Sequence, residues 1–434
     1  MRASLSRTLS AVMTSATLRD LSRRLHAARR RLRGRLPEVH YFHQADDPYS
    51  HLAAQMLQDF RARYAIELQC HVAPPPDDGA APERDRLTAW SLRDAGDLAG
   101  RLGLDWPTPA AKPPSHHIAL ANAALVRSGP DFPLRAVEVG RALWHGDAES
   151  LARYGAATTQ IEARQAMEKA AKLRQELGHY LGATFYFEGE WYWGLDRLHY
   201  LEKRLRNAGL ARGTAEGPVL APPADVTLES APAPGTRRPE LHFFFSFRSP
   251  YTYISVPRVR ALARHYDADL KLRFILPMVM RGLPVPRAKS LYILRDTKRE
   301  ADRVGLPFGR IVDPRGKATE RAIAVLHRAI PLGKGEEFAE SFLRGVWSEG
   351  IDGASDAGLA KMAARAGLDD EFVRAALTDE SWRPIAEANR AEMFQMGLWG
   401  APTLRVNDGA GHWGQDRLWV IERELIAATR PAQA

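Results

Sequence analysis

Two phrases far apart in the chain limit its architecture more than any other feature. WGLDRLHYLE begins at Trp193 and WGQDRLWVIE at Trp413, and seven of their ten positions agree in type and place, with Leu201 facing Ile421. Other landmarks recur in the same order: ARYAIELQCHV answers ARHYDADLKLRFIL, GRALWHGD answers LRGVWSEG, and GATFYF answers GAPTLRV. A period of roughly 200 residues is too long for a solenoid and implies two tandem copies of one domain. The length of 434 residues suits that number of domains. Between the copies lies GTAEGPVLAPPADVTLESAPAPGTRRPE, whose six prolines suit a semi-extended linker. The expected layout is a basic tail over 1–37, a first domain over 38–210, a linker over 211–239 and a second domain over 240–428.

The net charge of +9 suggests nucleic acid until it is located. Residues 1–36 carry ten arginines against Asp20 alone, which is +9 by itself, so the rest of the chain is neutral by formal count. A nucleic-acid binder carries its basic footprint on the folded domain, and no nucleic-acid partner is expected. The Arg-, Ser- and Ala-rich tail has the composition of an organellar transit peptide. The simpler reading is a solvated basic extension on a cytoplasmic protein. No apolar run is long enough to span a bilayer, and no membrane partner is expected.

The second copy shows its element order most clearly. ELHFFFSF reads as a strand and PYTYISVPRVRALARHY as a helix that Pro257 can bend. LKLRFIL reads as a second, parallel strand. A long helical stretch follows from KSLYILRDTKREADRVG to DEFVRAAL, then strands at PTLRV and GHW, and a closing helix, QDRLWVIERELIAA. Strand, helix, strand, helical insertion, strand, strand, helix is a thioredoxin-type α/β order. The expected fold class is α/β: two tandem thioredoxin-like domains, each with an inserted helical subdomain.

The strand-to-helix corner FFFSFRSPYTYI is where chemistry is expected. Ser249 before Pro250 is a favoured N-cap and first-turn pair, so capping alone accounts for a serine here. The same position favours an anion, because backbone N–H groups and the helix dipole point at it. A thiolate held there is stabilised. The corner has no cysteine, so the sulfur must arrive on a ligand. A hydrogen bond to a charged group contributes about 1.5–3 kcal/mol, which lowers a thiol pKa by about one to two units. In the first copy Asp47 stands at this corner, and a second negative charge repels a thiolate. In GLWGAPTLRV, a cis bond at Ala401-Pro402 leaves the backbone of Ala401 free for a peptide-like ligand. The first copy reads Gly182-Ala183-Thr184, without the proline. Asp416 is either a first-turn acid of the last helix or a carboxylate for a ligand ammonium group. Lys289 is a surface lysine or the partner of a ligand carboxylate. Trp144 and Trp347 read as packing residues. His116 and His117 lack a metal-ligand partner set, and no metal is expected. The single cysteine, Cys70, lies in a strand-like run and reads as an inert buried thiol. It permits no intramolecular disulfide and no CxxC redox pair, so disulfide exchange is not expected.

The strand before SPYTY, PRAKSLYILRDTKREADRVGLPF, GVWSEGID, GLWGAPT and WGQDRL stand in an order that resembles a known family. The resemblance covers nearly all of residues 241–428. It is to the kappa-class glutathione transferases and the glutathione-dependent 2-hydroxychromene-2-carboxylate isomerases of the DsbA-like thioredoxin superfamily. It implies glutathione as the cofactor, with Ser249 holding its sulfur and Lys289 near glutathione and substrate. It also implies Ala401 before the cis Pro402 as the backbone clamp on the cysteinyl part, and Gln415 with Asp416 at the γ-glutamyl end. It implies an isomerase or transferase acting on an aromatic-catabolite-like electrophile, and a homodimer that the tandem copies could replace with an intrachain pseudo-dimer. Three positions depart from the family pattern: Ser246 replaces a common acid, ILPMVMRGLPVP lacks an asparagine, and Gln415 replaces a smaller polar residue. The competing expectation is a thioredoxin-fold binding or scaffold protein without catalysis.

Overall fold

Phe243 and Phe245 are two apart on one strand, so their rings share a face and stack with centroids 5.2 Å apart, and Phe247, in the turn after the strand, meets Phe245 edge to face at 5.4 Å. Phe247 in turn meets Phe342 edge to face at 4.8 Å. The strand is buried on both faces, as a strand covered by helices on either side must be. A computed structural model describes residues 2–156, 158–215, 217–229 and 238–429. These form two compact units. The N-terminal unit holds residues 20–223 with 286–289, and the C-terminal unit holds 1–19, 224–285 and 290–434.

In the N-terminal unit the sheet is made of β1 (Glu38–His43), β2 (Glu67–Val72), β3 (Thr184–Phe187) and β4 (Glu190–Trp193). It is preceded by α1 (Arg2–Met13), which belongs to the other unit, and by α2 (Ala16–Leu32). Helix α3 (Pro48–Arg63) joins β1 to β2, and α9 (Leu195–Asn207) follows β4. Five helices lie between β2 and β3: α4 (Arg84–Leu102), α5 (Ser115–Leu125), α6 (Phe132–His145), α7 (Ala148–Gly155) and α8 (Gln160–Leu177). The strand order is β2-β1-β3-β4, with β1 and β2 parallel and the other pairs antiparallel.

The C-terminal unit repeats this plan. Its strands are β5 (Glu240–Phe245), β6 (Asp269–Phe274), β7 (Thr403–Val406) and β8 (His412–Trp413), ordered β6-β5-β7-β8 with the same senses. Helix α10 (Pro250–His265) joins β5 to β6 and carries Pro257 within it; α17 (Leu418–Thr429) closes the chain. The insertion between β6 and β7 contains α11 (Arg287–Arg303), α12 (Lys317–Ala329), α13 (Gly335–Trp347), α14 (Asp356–Ala364), α15 (Asp370–Ala376) and α16 (Trp382–Gln395). The sequence reading did not anticipate α16, whose opening Trp-Arg-Pro hides the helical spacing that follows. The closing helix also starts later than expected, because Gln415–Arg417 forms a separate 3-10 turn.

The registers match as well. Phe42 lies opposite Thr184 as Phe244 lies opposite Thr403, and Thr184 pairs with Trp193 as Thr403 pairs with Trp413. The shared glutamate of the repeated phrase has one task in both units. Glu202 accepts hydrogen bonds from Tyr64 (3.0 Å) and the Leu220 backbone (2.8 Å). Glu422 accepts from Tyr266 (3.0 Å) and the Thr227 and Leu228 backbone (2.8 and 2.6 Å). The described part of the Pro-rich linker before residue 230 is therefore tied down at two points; residues 230–237 lie outside the described residues.

The tail is not simply solvated. Ser6 Oγ donates to the Ile311 carbonyl at 3.0 Å, and the Ile311 amide donates to Ser10 Oγ at 2.9 Å, which holds α1 to the C-terminal unit. Arg23 and Arg30 tie α2 to the turn between β3 and β4 through Glu190 and Glu188.

Candidate active site

Ser249 stands between β5 and α10. Its backbone is extended, Pro250 opens the helix, and Ser249 Oγ accepts from the Thr252 amide at 3.2 Å. That is the N-cap role that the Ser-Pro pair implies. The same hydroxyl donates to the Ala401 carbonyl at 3.0 Å. Ser249 is partly exposed as a residue. The bond preceding Pro402 is cis, as expected. The Ala401 carbonyl is not free, because Ser249 occupies it. The Pro402 carbonyl accepts from the Gly414 amide at 2.9 Å, which leads the chain directly from β8 to Asp416. The structure thus brings together Ser249, Ala401, Pro402 and the segment carrying Asp416.

One hydrogen bond fixes the corner, and one buried hydroxyl there lacks a partner among the described residues. Tyr251 OH donates to the buried Asp296 at 2.8 Å, pinning the first turn of α10 to α11. Thr252 is fully buried, and its hydroxyl has no hydrogen-bond partner among the described residues.

Gln415 stands beside Asp416 with its side chain turned inward. It is 2% exposed. Its amide donates to Glu300 at 3.0 Å and to Asp416, and its carbonyl accepts from Arg258. All polar atoms of the side chain are engaged internally, so the residue orients Asp416 instead of meeting a ligand. Glu300 is buried and also pairs with Arg303 at 3.2 Å. Burial pushes the Arg258 guanidinium below its ordinary value. Composition and spacing offered no signal for this network, whose members lie 115 and 157 residues apart in sequence.

Lys289 groups with the N-terminal unit and not with Ser249. Its Nζ donates to the Ala80 carbonyl at 3.0 Å, and burial lowers its pKa.

The first corner is built from the same parts with another outcome. Asp47 caps α3 by accepting from the Tyr49 and Ser50 amides at 3.3 and 3.1 Å. It also accepts from Ser50 Oγ at 2.8 Å. Ser50 Oγ in turn accepts from the Ala183 amide at 2.9 Å. By register Ala183 occupies the place of Pro402, since its carbonyl accepts from Gly194 at 2.8 Å. With alanine and not proline here the backbone has an N–H, and Ser50 accepts from it. A Cβ on Gly182 would lie 2.7 Å from Gln44 Cβ and 3.1 Å from Asp47, so chain and carboxylate fill the corner. Burial, with a smaller contribution from Asp46, pushes the Asp47 carboxyl up to about 7. Tyr49 OH donates to the buried Asp94 at 2.7 Å, the counterpart of Tyr251 and Asp296.

The remaining candidates fall where packing put them. Trp144 lies against Trp106, and Trp347 Nε1 donates to the Phe247 carbonyl at 3.0 Å. The His116 and His117 rings touch edge to face. Among the described residues no group of three or more His, Cys, Asp or Glu could hold a metal ion. Cys70 is partly buried, and desolvation pushes its thiol up to about 12.

Comparison with known proteins adds the following. Residues 240–425 match the DSBA-like thioredoxin domain. A 2-hydroxychromene-2-carboxylate isomerase of Sphingobium xenophagum is 27% identical over 204 residues, which is 43% of this chain and 97% of that protein. A protein of the same name from Pseudomonas putida is 22% identical over 191 residues, 42% of this chain and 92% of that one. A solved structure of 2-hydroxychromene-2-carboxylate isomerase is 21% identical, covers 43% of this chain and 93% of its own, and has a TM-score of 0.38. The residues that the family model matches, 240–425, lie in the C-terminal unit.

Proposed function

We propose that the C-terminal unit is a glutathione-dependent isomerase or transferase. Its substrate class is an aromatic-catabolite-like electrophile of the kind the name 2-hydroxychromene-2-carboxylate isomerase describes. The observation that carries this reading is Ser249: a partly exposed residue whose hydroxyl caps α10 and lies 3.0 Å from the carbonyl before Pro402. The similarity to two isomerases over almost their whole length supports it.

The residues fit a thiol-bearing peptide. Glutathione, when bound, supplies the nucleophilic sulfur. Ser249 keeps accepting from the Thr252 amide and turns its own proton from the Ala401 carbonyl toward the anion. The Ala401 carbonyl is then released to accept from a ligand amide. The dipole of α10 adds to the stabilisation at its N-terminus. Asp416, oriented by Gln415, receives the ligand ammonium group. Lys289 is omitted from the site, because its ammonium group is already donated to Ala80. The N-terminal unit is, in this reading, a duplicated copy whose corner no longer admits a ligand.

Calorimetry with glutathione tests the proposal. Binding is expected, and Asp416→Ala is expected to weaken it sharply. Ser249→Ala should leave binding largely intact while cutting turnover on the order of 10²-fold, the usual effect of losing one positioned donor to a developing charge. No heat at millimolar glutathione overturns the proposal.

A further inference from the structure

Helix α2 is docked inside out. Surface helices ordinarily bury their apolar stripe and turn charge to solvent. In α2 the residues at spacing i, i+3 and i+7 on the protein side are Arg23, His26 and Arg30. Arg23 forms a two-pronged contact with Glu190 at 2.6 and 2.8 Å, Arg30 pairs with Glu188, and His26 lies over Gly189. The stripe at Leu18, Leu21 and Leu25 lies on the other side, 46, 50 and 51% exposed, and Leu32 continues it at 88%. No residue of α2 is buried. Arg24, Arg29, Arg31 and Arg33 are exposed and flank the leucines. Helix α1 shows the same inversion on its own unit: Ser6 and Ser10 face the protein, while Leu5, Leu9 and Val12 are 71, 58 and 51% exposed.

We propose that this leucine face is a docking surface for anionic lipid membranes. The helix would lie flat at the headgroup boundary with its leucines inserted and its arginines paired with lipid phosphates or carboxylates. A strongly basic helix with a separate apolar stripe is the physical form of an interfacial helix. About 26 Å long, it is too short and too charged to span, and among the described residues no helix is long and apolar enough to cross a membrane. Charge decides between a bilayer and a second copy of the chain. Beyond residue 36 the chain is formally neutral, so another copy offers no net acidic surface to these arginines. The Glu188 and Glu190 clamp holds the helix in place, so the face is presented whether or not lipid is bound.

Co-sedimentation of the full chain with phosphatidylcholine vesicles, with and without phosphatidylglycerol, tests the inference. The protein is expected to sediment with the anionic vesicles, and to be released by salt, which screens exposed charges beyond about 10 Å at 0.1 M. The triple variant Leu18→Gln, Leu21→Gln, Leu25→Gln should weaken vesicle binding by at least about tenfold. These positions make no core contact, so its thermal midpoint should match the parent, and a lowered midpoint is answered by Arg24→Gln with Arg31→Gln, which should also weaken binding. Equal binding to neutral vesicles, no binding to either, or undiminished binding by both variants overturns it. Concentration-dependent dimerisation that the triple variant abolishes, without vesicle binding, overturns it also and makes the face a contact between copies.

Discussion

The two strand-to-helix corners share a scaffold and differ in what they leave open. In each, a tyrosine two residues after the cap reaches a buried aspartate 45 residues later, at 2.7 Å in one unit and 2.8 Å in the other. In each, the carbonyl before the third strand's threonine accepts from the glycine of the repeated phrase. The difference lies in one cap and one proline. Asp47, Ser50 and the Ala183 amide satisfy one another and close the N-terminal corner. Pro402 has no N–H to offer, so Thr252, the counterpart of Ser50, has no hydroxyl partner among the described residues, and Ser249 donates to the Ala401 carbonyl instead. The two corners share their tyrosine contacts to buried carboxylates and differ in a few polar groups at the helix start.

The largest expected effect separates the corners by function. Turnover with glutathione should fall on the order of 10²-fold in Ser249→Ala and should stay within about twofold in Asp47→Ala. Equal losses would show that both corners act and break the contrast. Next come the shared parts. Tyr251→Phe and Tyr49→Phe each remove a hydrogen bond to a buried carboxylate, worth about 1.5–3 kcal/mol. Chemical denaturation should show similar costs, and a large inequality would mean that the two scaffolds are not equivalent. A smaller effect follows from the Asp47 carboxyl. It holds its proton to about 7 when folded and only to about 4 when unfolded. The stability it confers is full below about pH 4 and is lost as pH rises toward 7. Asp47→Asn should raise the thermal midpoint at pH 8 and not at pH 4. A gain that is the same at both pH values would remove burial as the cause. The smallest effect concerns Cys70, whose thiol burial holds near 12. Alkylation at pH 8 should be slow in the folded chain and fast in denaturant, and rapid native labelling would show an exposed thiolate.

Much of this was legible in the sequence. The run of phenylalanines in ELHFFFSF marked the central strand, because a strand covered on both faces reads as a continuous apolar run. Ser249-Pro250 marked a helix start, because proline suits the first turn. The departures have physical causes. The position of Gln415 could not be read, since its partners Arg258 and Glu300 come from other helices. Lys289 looked like a ligand group because the residues around it match the family's order, yet its own neighbour is Ala80, 209 residues away. The tail looked solvated because its arginines dominate its composition. Two of them in fact hold α2 to a hairpin turn.

The order of elements, the duplication of landmarks and the identity of both helix caps follow from local pattern. Periodicity, turn chemistry and cap preference act over only a few residues, and a sequence displays them directly. Which polar groups remain available does not follow from pattern. That depends on where backbone donors and carboxylates from distant segments come to rest, and only the folded chain brings Ala401 to Ser249, Ala183 to Ser50 and Glu190 to Arg23.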